Sequence, residues 1–255
     1  HLTRCFDSEK IQNVNIDVDP IRDLEIIETE ILLSDLESLQ KRLEKNNKKK
    51  LEKNELDFLE ECKKLINDGK KPNELKKKYN KDLIKKSALL SLKPRIIVCN
   101  VDEKSLPDGN KYSDSCKKKF PEENIIIVCA DMEDQIMSLQ TKDRKDFMIQ
   151  SGIKNTGLDN LIKTGYNTLG LSTFFTSGPE ESRAWTIEKK SKAVDAAGVI
   201  HTDFKKKFIR AETVTHEDFI KYRGFNECKN AGKLRLEGKD YLVNDGDVMY
   251  FRVGN

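Results

Sequence analysis

Residues 95–103 have the sequence Arg-Ile-Ile-Val-Cys-Asn-Val-Asp-Glu, and residues 124–130 have the sequence Asn-Ile-Ile-Ile-Val-Cys-Ala. Both begin with short, continuously apolar, β-branched runs, a pattern typical of buried parallel strands. The charged segment 112–120 between them suits a crossover helix, and helical patterns follow at 143–149 and 158–169. This alternation predicts an α/β fold that corresponds to the second half of a doubly wound sheet.

Ligands of such folds bind at the carboxyl ends of strands, which directs attention to residues 100–103 and 130–133. The first of these segments, Asn-Val-Asp-Glu, is similar to the N-K-x-D segment that purine-nucleotide hydrolases of the P-loop class place after this strand. There the Asn reaches N7 of the purine, and the Asp accepts hydrogen bonds from N1 and N2 of guanine. Adenine has an acceptor at N1, so a carboxylate fixed opposite that atom costs about 1–3 kcal/mol. The longer Glu103, and Val101 in place of Lys, therefore favour adenine, although an ordinary Asx-rich turn would give the same four residues.

The N-terminal part of the chain is predicted to form an antiparallel helical hairpin. A strand is expected over residues 1–6, and a helix begins at Pro20 with Asp19 as its N-cap. A second helical stretch follows at 51–66. Leucines of the first helix are separated by 4, 3 and 4 residues, the spacing of a coiled-coil seam: Leu32, Leu36, Leu39 and Leu43. Two ordinary surface helices are the alternative interpretation.

Charge is distributed unevenly along the chain, although the net charge is only +3. Residues 41–90 contain 17 basic and 9 acidic side chains, whereas residues 1–40 contain 3 and 10. A strongly basic segment of this kind favours an anionic partner. The expected contact residues lie near the hairpin tip, and they are Lys45, Lys48, Lys49, Lys50 and Lys53. A solvated lysine face that keeps the helices soluble is the alternative.

Residues beyond 172 have a different pattern, which predicts a small α+β domain. Strands are expected at 184–187 and 208–214, with a helix at 193–200 between them. Residues 239–243 and 248–253 flank an Asp-Gly turn and predict a hairpin. This order of elements is typical of a β-grasp domain.

Composition excludes several classes of protein. The longest apolar runs are far shorter than the ~20 residues that span a bilayer, and the N-terminal residues have no signal-peptide pattern. The six cysteines are scattered and include no C-x-x-C, which indicates reduced thiols, a cytoplasmic location and no metal site.

With these features in place, the chain resembles the YchF family of Obg-like ATPases over essentially all of its 255 residues. The resemblance rests on residues 2–6, 18–20, 32–43 and 100–103, and above all on long C-terminal segments. These are Arg-Ala-Trp-Thr-Ile at 183–187, Ala-Ala-Gly-Val-Ile-His-Thr-Asp-Phe at 196–204, Phe-Ile-Arg-Ala-Glu at 208–212 and Gly-Lys-Leu-Arg-Leu-Glu-Gly-Lys-Asp-Tyr-Leu-Val at 232–243.

The resemblance implies three parts. Residues 1–35 and 91–171 would form the C-terminal part of an OBG-type, P-loop nucleotide-binding domain, residues 36–90 its coiled-coil hairpin insert, and residues 172–255 a TGS domain of the β-grasp type. It also implies ribosome-associated nucleotide hydrolysis with ATP preferred over GTP. The base-binding residues would be Asn100, Val101, Glu103, Cys129 and Ala130.

The implied cofactor is ATP or GTP with Mg²⁺, and the implied partners are the ribosome and its RNA, with neither a membrane nor a specific DNA expected.

One departure from the family is large, because the 255 residues contain no G-x-x-x-x-G-K-[ST] to hold phosphates and Mg²⁺. The chain is therefore expected to represent the part after the phosphate loop and switch regions, with no catalytic residue or metal ligand of its own. A non-catalytic ribosome-binding module with a vestigial base pocket is the alternative.

Overall fold

The structure, a computed structural model, describes residues 1–8, 17–45 and 51–254. The chain divides into two compact units, His1–Thr164 and Gly165–Asn255. No helix in the described part of the chain combines the length and apolarity needed to cross a bilayer.

The first unit contains a parallel sheet in the order β1 (Leu2–Arg4), β2 (Ile96–Asn100) and β3 (Asn124–Val128). Val98 lies opposite both Leu2 and Ile126, so β2 is the central strand. The three predicted strands are confirmed, as is the parallel pairing expected of β2 and β3, and β1 also pairs in parallel with β2. The helices that follow in this part of the chain are α1 (Pro20–Lys45), α2 (Lys53–Asn67), α3 (Lys81–Ser87), α4 (Lys111–Lys119), α5 (Ala130–Ser138), α6 (Thr141–Gln150) and α7 (Gly157–Leu169).

Helices α1 and α2 pack against each other through an apolar cluster. Asp19 caps α1 as predicted, since its carboxylate accepts hydrogen bonds from the N–H groups of Ile21 and Arg22 at 3.1 Å. Leu39 of α1 and Phe58 of α2 are fully buried in the cluster. The other predicted seam leucines contact the same cluster as partly buried residues. The tip that was expected near residues 46–53 lies largely outside the described residues, which resume at Leu51.

A second core lies between the sheet and α4. Cys5, Leu24, Ile97 and Val101 are buried there, and aromatic residues of α4 and its C-terminal cap cover them. This core supports the carboxyl end of β2, where the candidate site begins.

The second unit contains a mixed five-stranded sheet in the order β5-β4-β8-β6-β7. Its strands are β4 (Leu171–Ser177), β5 (Ser182–Glu188), β6 (Phe208–Thr215), β7 (Arg235–Glu237) and β8 (Asp247–Val253). Its helices are α8 (Ala193–Ile200), α9 (Thr202–Lys206), α10 (His216–Tyr222) and α11 (Phe225–Asn230). Residues from β4, β6, β8 and α8 form one buried cluster.

The predicted hairpin between residues 239–243 and 248–253 is wrong. β8 pairs with β6 on one edge and with β4 on the other, so no edge remains for the segment before it. The turn is instead closed by the buried carboxylate of Asp247, which accepts hydrogen bonds from the Tyr241 hydroxyl at 2.7 Å and the Asn244 N–H at 2.9 Å. Strand β4, which the sequence analysis did not identify, pairs along its whole length with β5.

Candidate functional site

Two loops that follow neighbouring parallel strands meet at the carboxyl edge of the first unit's sheet. Asn100 is the last residue of β2, and its side-chain oxygen accepts a hydrogen bond from the N–H of Ala130 at 3.0 Å. The N–H of Val101 donates to the carbonyl of Val128, the last residue of β3, at 2.8 Å. The structure therefore brings together the two segments that were predicted to follow neighbouring strands and to form the ligand site.

The contact with Ala130 also fixes the orientation of the Asn100 amide. Because a backbone N–H is the donor, Oδ1 must be the atom that accepts, and the NH₂ group is on the other branch of the amide. Among the described residues that NH₂ group has no hydrogen-bond partner. It can therefore donate to an acceptor atom of a ligand. N7 of a purine is such an acceptor.

Val101 and Cys129 have little exposed surface. The Val101 side chain is 2% exposed and packs with Leu24 and Ile97 in the core beneath the loop. Cys129 is 4% exposed and packs with Met132 of α5. These two residues can therefore contact a ligand only through their backbone atoms. Ala130, in contrast, is exposed.

Glu103 lies on the exposed side of the loop. It begins a short 3-10 turn, Glu103–Ser105, that follows Asp102. The hydroxyl of Ser105 donates to the Asp102 carboxylate, which occupies that carboxylate within the loop. Glu103 has no salt bridge among the described residues. Its exposed carboxylate, three positions after Asn100, can therefore accept a hydrogen bond from a ligand.

The residues that support this loop were not predicted from the sequence. Asn110 caps α4 through a capping box with Ser113, and its side-chain NH₂ donates to the Cys5 carbonyl at 2.7 Å and to the Ser105 hydroxyl at 3.1 Å. Gly109 precedes it with φ of +95°. The signal was present in the sequence as Asn-x-x-Ser directly before a helical segment. Asn110 thus ties the base loop to β1.

The basic residues expected near the hairpin tip are only partly described. Lys45 and Lys53 are exposed at the ends of α1 and α2 that adjoin the tip, whereas Lys48, Lys49 and Lys50 lie outside the described residues. Further exposed lysines of the same basic segment lie on the 3-10 turn Pro72–Lys77 and on α3, and they are Lys76, Lys77, Lys81 and Lys86. No salt bridge joins these four to a carboxylate among the described residues. Exposed lysines therefore occur both at the ends of α1 and α2 next to residues 46–50 and on residues 72–87.

Comparison with known proteins gives consistent matches along the chain. The family model YchF-GTPase_C, described as a protein of unknown function (DUF933), matches residues 171–254. The ribosome-binding ATPase YchF of Bacillus subtilis (strain 168) is 40% identical over 262 residues, which cover 99% of this chain and 72% of that protein. The protein of the same name from Escherichia coli O157:H7 is 41% identical, with 98% of this chain and 71% of that protein covered.

Solved structures agree with these matches. The structure of the Schizosaccharomyces pombe YchF GTPase superposes with a TM-score of 0.80 at 33% identity. The superposition covers 98% of this chain and 71% of the Schizosaccharomyces pombe chain. A GTP binding protein from Pyrococcus horikoshii OT3 superposes with a TM-score of 0.58 at 17% identity, which supports the fold alone.

Proposed function

The chain belongs to the YchF family, and on that basis we propose that it serves in ribosome-associated nucleotide hydrolysis, with ATP preferred over GTP. The observation that supports this most directly is the hydrogen bond from Ala130 to Asn100, because it joins two loops at the place where α/β folds bind nucleotides. The names of the bacterial relatives, ribosome-binding ATPases, support the same assignment.

In this proposal the chain supplies the base-binding side of the site. Asn100 donates from its amide NH₂ to N7, the exposed backbone at Cys129–Ala130 lies beside the base, and Glu103 provides the carboxylate that distinguishes purines. Val101 holds the loop on the core rather than contacting the base with its side chain, because that side chain is buried. Adenine is favoured because Glu103 is longer than the Asp that pairs with guanine. Its carboxylate is therefore not fixed opposite N1, where it would face the acceptor of adenine.

The phosphates and Mg²⁺ are assigned to no residue of this chain. Their binding in this class needs the backbone and Lys of a G-x-x-x-x-G-K-[ST] loop, and the 255 residues contain no such sequence. The residues present are therefore assigned to the base and not to the hydrolysis step.

The remaining parts of the proposal concern docking. Residues 36–90 would act as a coiled-coil hairpin that contacts ribosomal RNA through its lysines, and residues 172–255 would act as a TGS domain. Lys side chains bind phosphates as point charges, so this contact should be tolerant of sequence and sensitive to salt. A cytoplasmic location follows from a ribosomal partner.

A titration of the isotope-labelled 255-residue chain with ATP and GTP, followed by NMR, tests the nucleotide assignment. We expect the amide signals of residues 100–103 and 129–130 to shift, with ATP giving the tighter binding curve. Co-sedimentation of the same chain with ribosomes tests the partner. Shifts confined to other residues, or tighter binding of GTP, would overturn the base-site assignment.

The two measurements also separate the alternative function. Co-sedimentation with ribosomes without any nucleotide-dependent shift at these loops would favour a binding module whose base pocket is vestigial.

A further inference from the structure

Three cysteines that are far apart in the sequence meet in the core of the first unit. Cys5 follows β1, Cys99 belongs to β2, and Cys116 belongs to α4. Their sulfur atoms all lie within 4.8 Å of one another, and each residue is fully buried. Linear spacing predicted no metal site because no two of these residues are neighbours in the sequence. The fold supplies the proximity that the sequence lacks.

The surroundings of the three sulfurs are apolar. Leu24, Ile97 and Val101 pack against the cysteines, and Tyr112 and Ile125 cover them from outside. In the part of the chain that the structure describes, the cluster includes three sulfurs and no His, Asp or Glu. A ligand here would thus meet three soft donors in a site closed to solvent.

This donor set selects among metal ions. Zn²⁺ in proteins is four-coordinate and takes a fourth protein ligand or a water, and this cluster provides neither a fourth side chain nor an opening. Thiolates favour soft ions such as Cu(I), and three sulfurs can complete the coordination of Cu(I) in a trigonal arrangement without a water. The apolar shell also excludes the harder ions that need oxygen ligands.

Contacts among the three thiols shift their pKa values in different directions. Hydrogen bonds from the thiols of Cys5 and Cys99 lower the pKa of the Cys116 thiol, and burial opposes this effect. The same contacts raise the pKa of Cys5. The hydrogen bond with Cys116 raises the pKa of the Cys99 thiol to about 12, and the positive charge of Lys117 opposes this shift.

We propose that Cys5, Cys99 and Cys116 form a three-thiolate site for Cu(I). Binding forms three Cu–S bonds and releases the three thiol protons, with no change in the oxidation state of copper or sulfur. The site lies directly behind the candidate base loop, because Cys99 precedes Asn100 and the Cys5 carbonyl accepts the hydrogen bond from Asn110 at 2.7 Å. This inference does not depend on the proposed function.

Competition with bicinchoninate, a chromogenic Cu(I) chelator, tests the proposal on the reduced 255-residue chain without oxygen. We expect the wild-type chain to take one Cu(I) from the chelator and the copper X-ray absorption spectrum to show three sulfur neighbours. Cys116→Ser should weaken binding at least roughly tenfold, since even the loss of an outer-shell partner costs that much. Cys62→Ser, which changes a buried thiol in the hairpin core, is the matched control and should bind as the wild type does.

The wild-type measurement stands even where a variant folds poorly, and circular dichroism checks the folding of each variant. No transfer of copper from the chelator, a spectrum with two sulfur neighbours, or equal losses in Cys116→Ser and Cys62→Ser would overturn the proposal. Preferential binding of Zn²⁺ in the same competition would overturn the choice of ion.

Discussion

The carboxylate of Asp35 accepts a hydrogen bond from the backbone N–H of Leu90 at 2.8 Å, across 55 positions of the chain. Its second oxygen accepts from the N–H of Ser91, also at 2.8 Å, and the side chain is buried in α1. Arg42, two turns further along α1, donates to the carbonyl of Ser87 at 2.7 Å. Helix α1 is thereby joined to the segment that leads into β2.

Replacing Asp35 with Ala should lower the free energy of unfolding of the first unit by about 2–4 kcal/mol, because the buried N–H of Ser91 and the partly buried N–H of Leu90 both lose a charged acceptor. Urea denaturation monitored by circular dichroism measures this change. Glu30→Ala, an exposed acidic position on the same helix, is the control and should change stability by less than about 0.5 kcal/mol. Equal effects of the two substitutions would contradict the assigned role of Asp35.

Gly109→Ala should destabilise the protein more than Gly69→Ala. Both glycines have positive φ, so both substitutions incur about 1–2 kcal/mol of backbone strain. A Cβ at Gly109 would also lie 2.3 Å from the Ser113 hydroxyl oxygen, whereas a Cβ at Gly69 would have nothing within 4 Å. The same Cβ would lie 2.9 Å from Cδ1 of Ile127, so the difference between the two unfolding free energies measures crowding against both Ser113 and Ile127. A difference of zero would show that the cap adjusts without cost.

Glu103→Asp should raise the affinity for GTP relative to ATP by roughly fivefold or more, since a mismatched pair of acceptors costs about 1–3 kcal/mol. NMR titrations with both nucleotides measure the ratio. Glu122→Asp, an exposed acidic residue before β3, is the control and should leave the ratio unchanged. Val101→Lys would restore the Lys of the N-K-x-D segment, but it is not combined with Glu103→Asp because it would place an ammonium group in the core. An unmoved ratio in Glu103→Asp would contradict the assigned specificity.

Changing Lys48, Lys49 and Lys50 to Glu should weaken co-sedimentation with ribosomes and flatten its dependence on salt. Each lysine that binds an RNA phosphate releases counterions, so its loss reduces the salt slope by roughly 0.7–0.9. Salt series with the wild type and the triple variant measure this. The same reversal at three exposed lysines of α6 and the loop after it, Lys142, Lys145 and Lys154, is the charge-matched control. Equal losses in both variants would indicate a general charge effect, and no loss in either would remove the hairpin from the docking surface.

Local patterns were sufficient to predict the elements whose stability depends on their own residues. The apolar runs at 95–99 and 124–130 became β2 and β3, and Asp19 with Pro20 began α1. A buried parallel strand has apolar side chains on both faces, and a capped helix satisfies its own N–H groups, so both features are visible in the sequence. The Asn100 and Ala130 segments were identified for the same reason, as the residues that directly follow such strands.

Strand pairing and the grouping of distant side chains were decided only by the tertiary structure. Residues 239–243 have the alternation of a strand, yet β8 already has β6 and β4 on its two edges, and a strand has only two edges. Val101 was expected from the sequence to line the base pocket, but its side chain is buried in the core beneath the loop. The sulfurs of Cys5, Cys99 and Cys116 approach one another because β1 and β2 are adjacent and α4 packs over them. Proximity of this kind depends on how elements pack, which no local pattern of residues specifies.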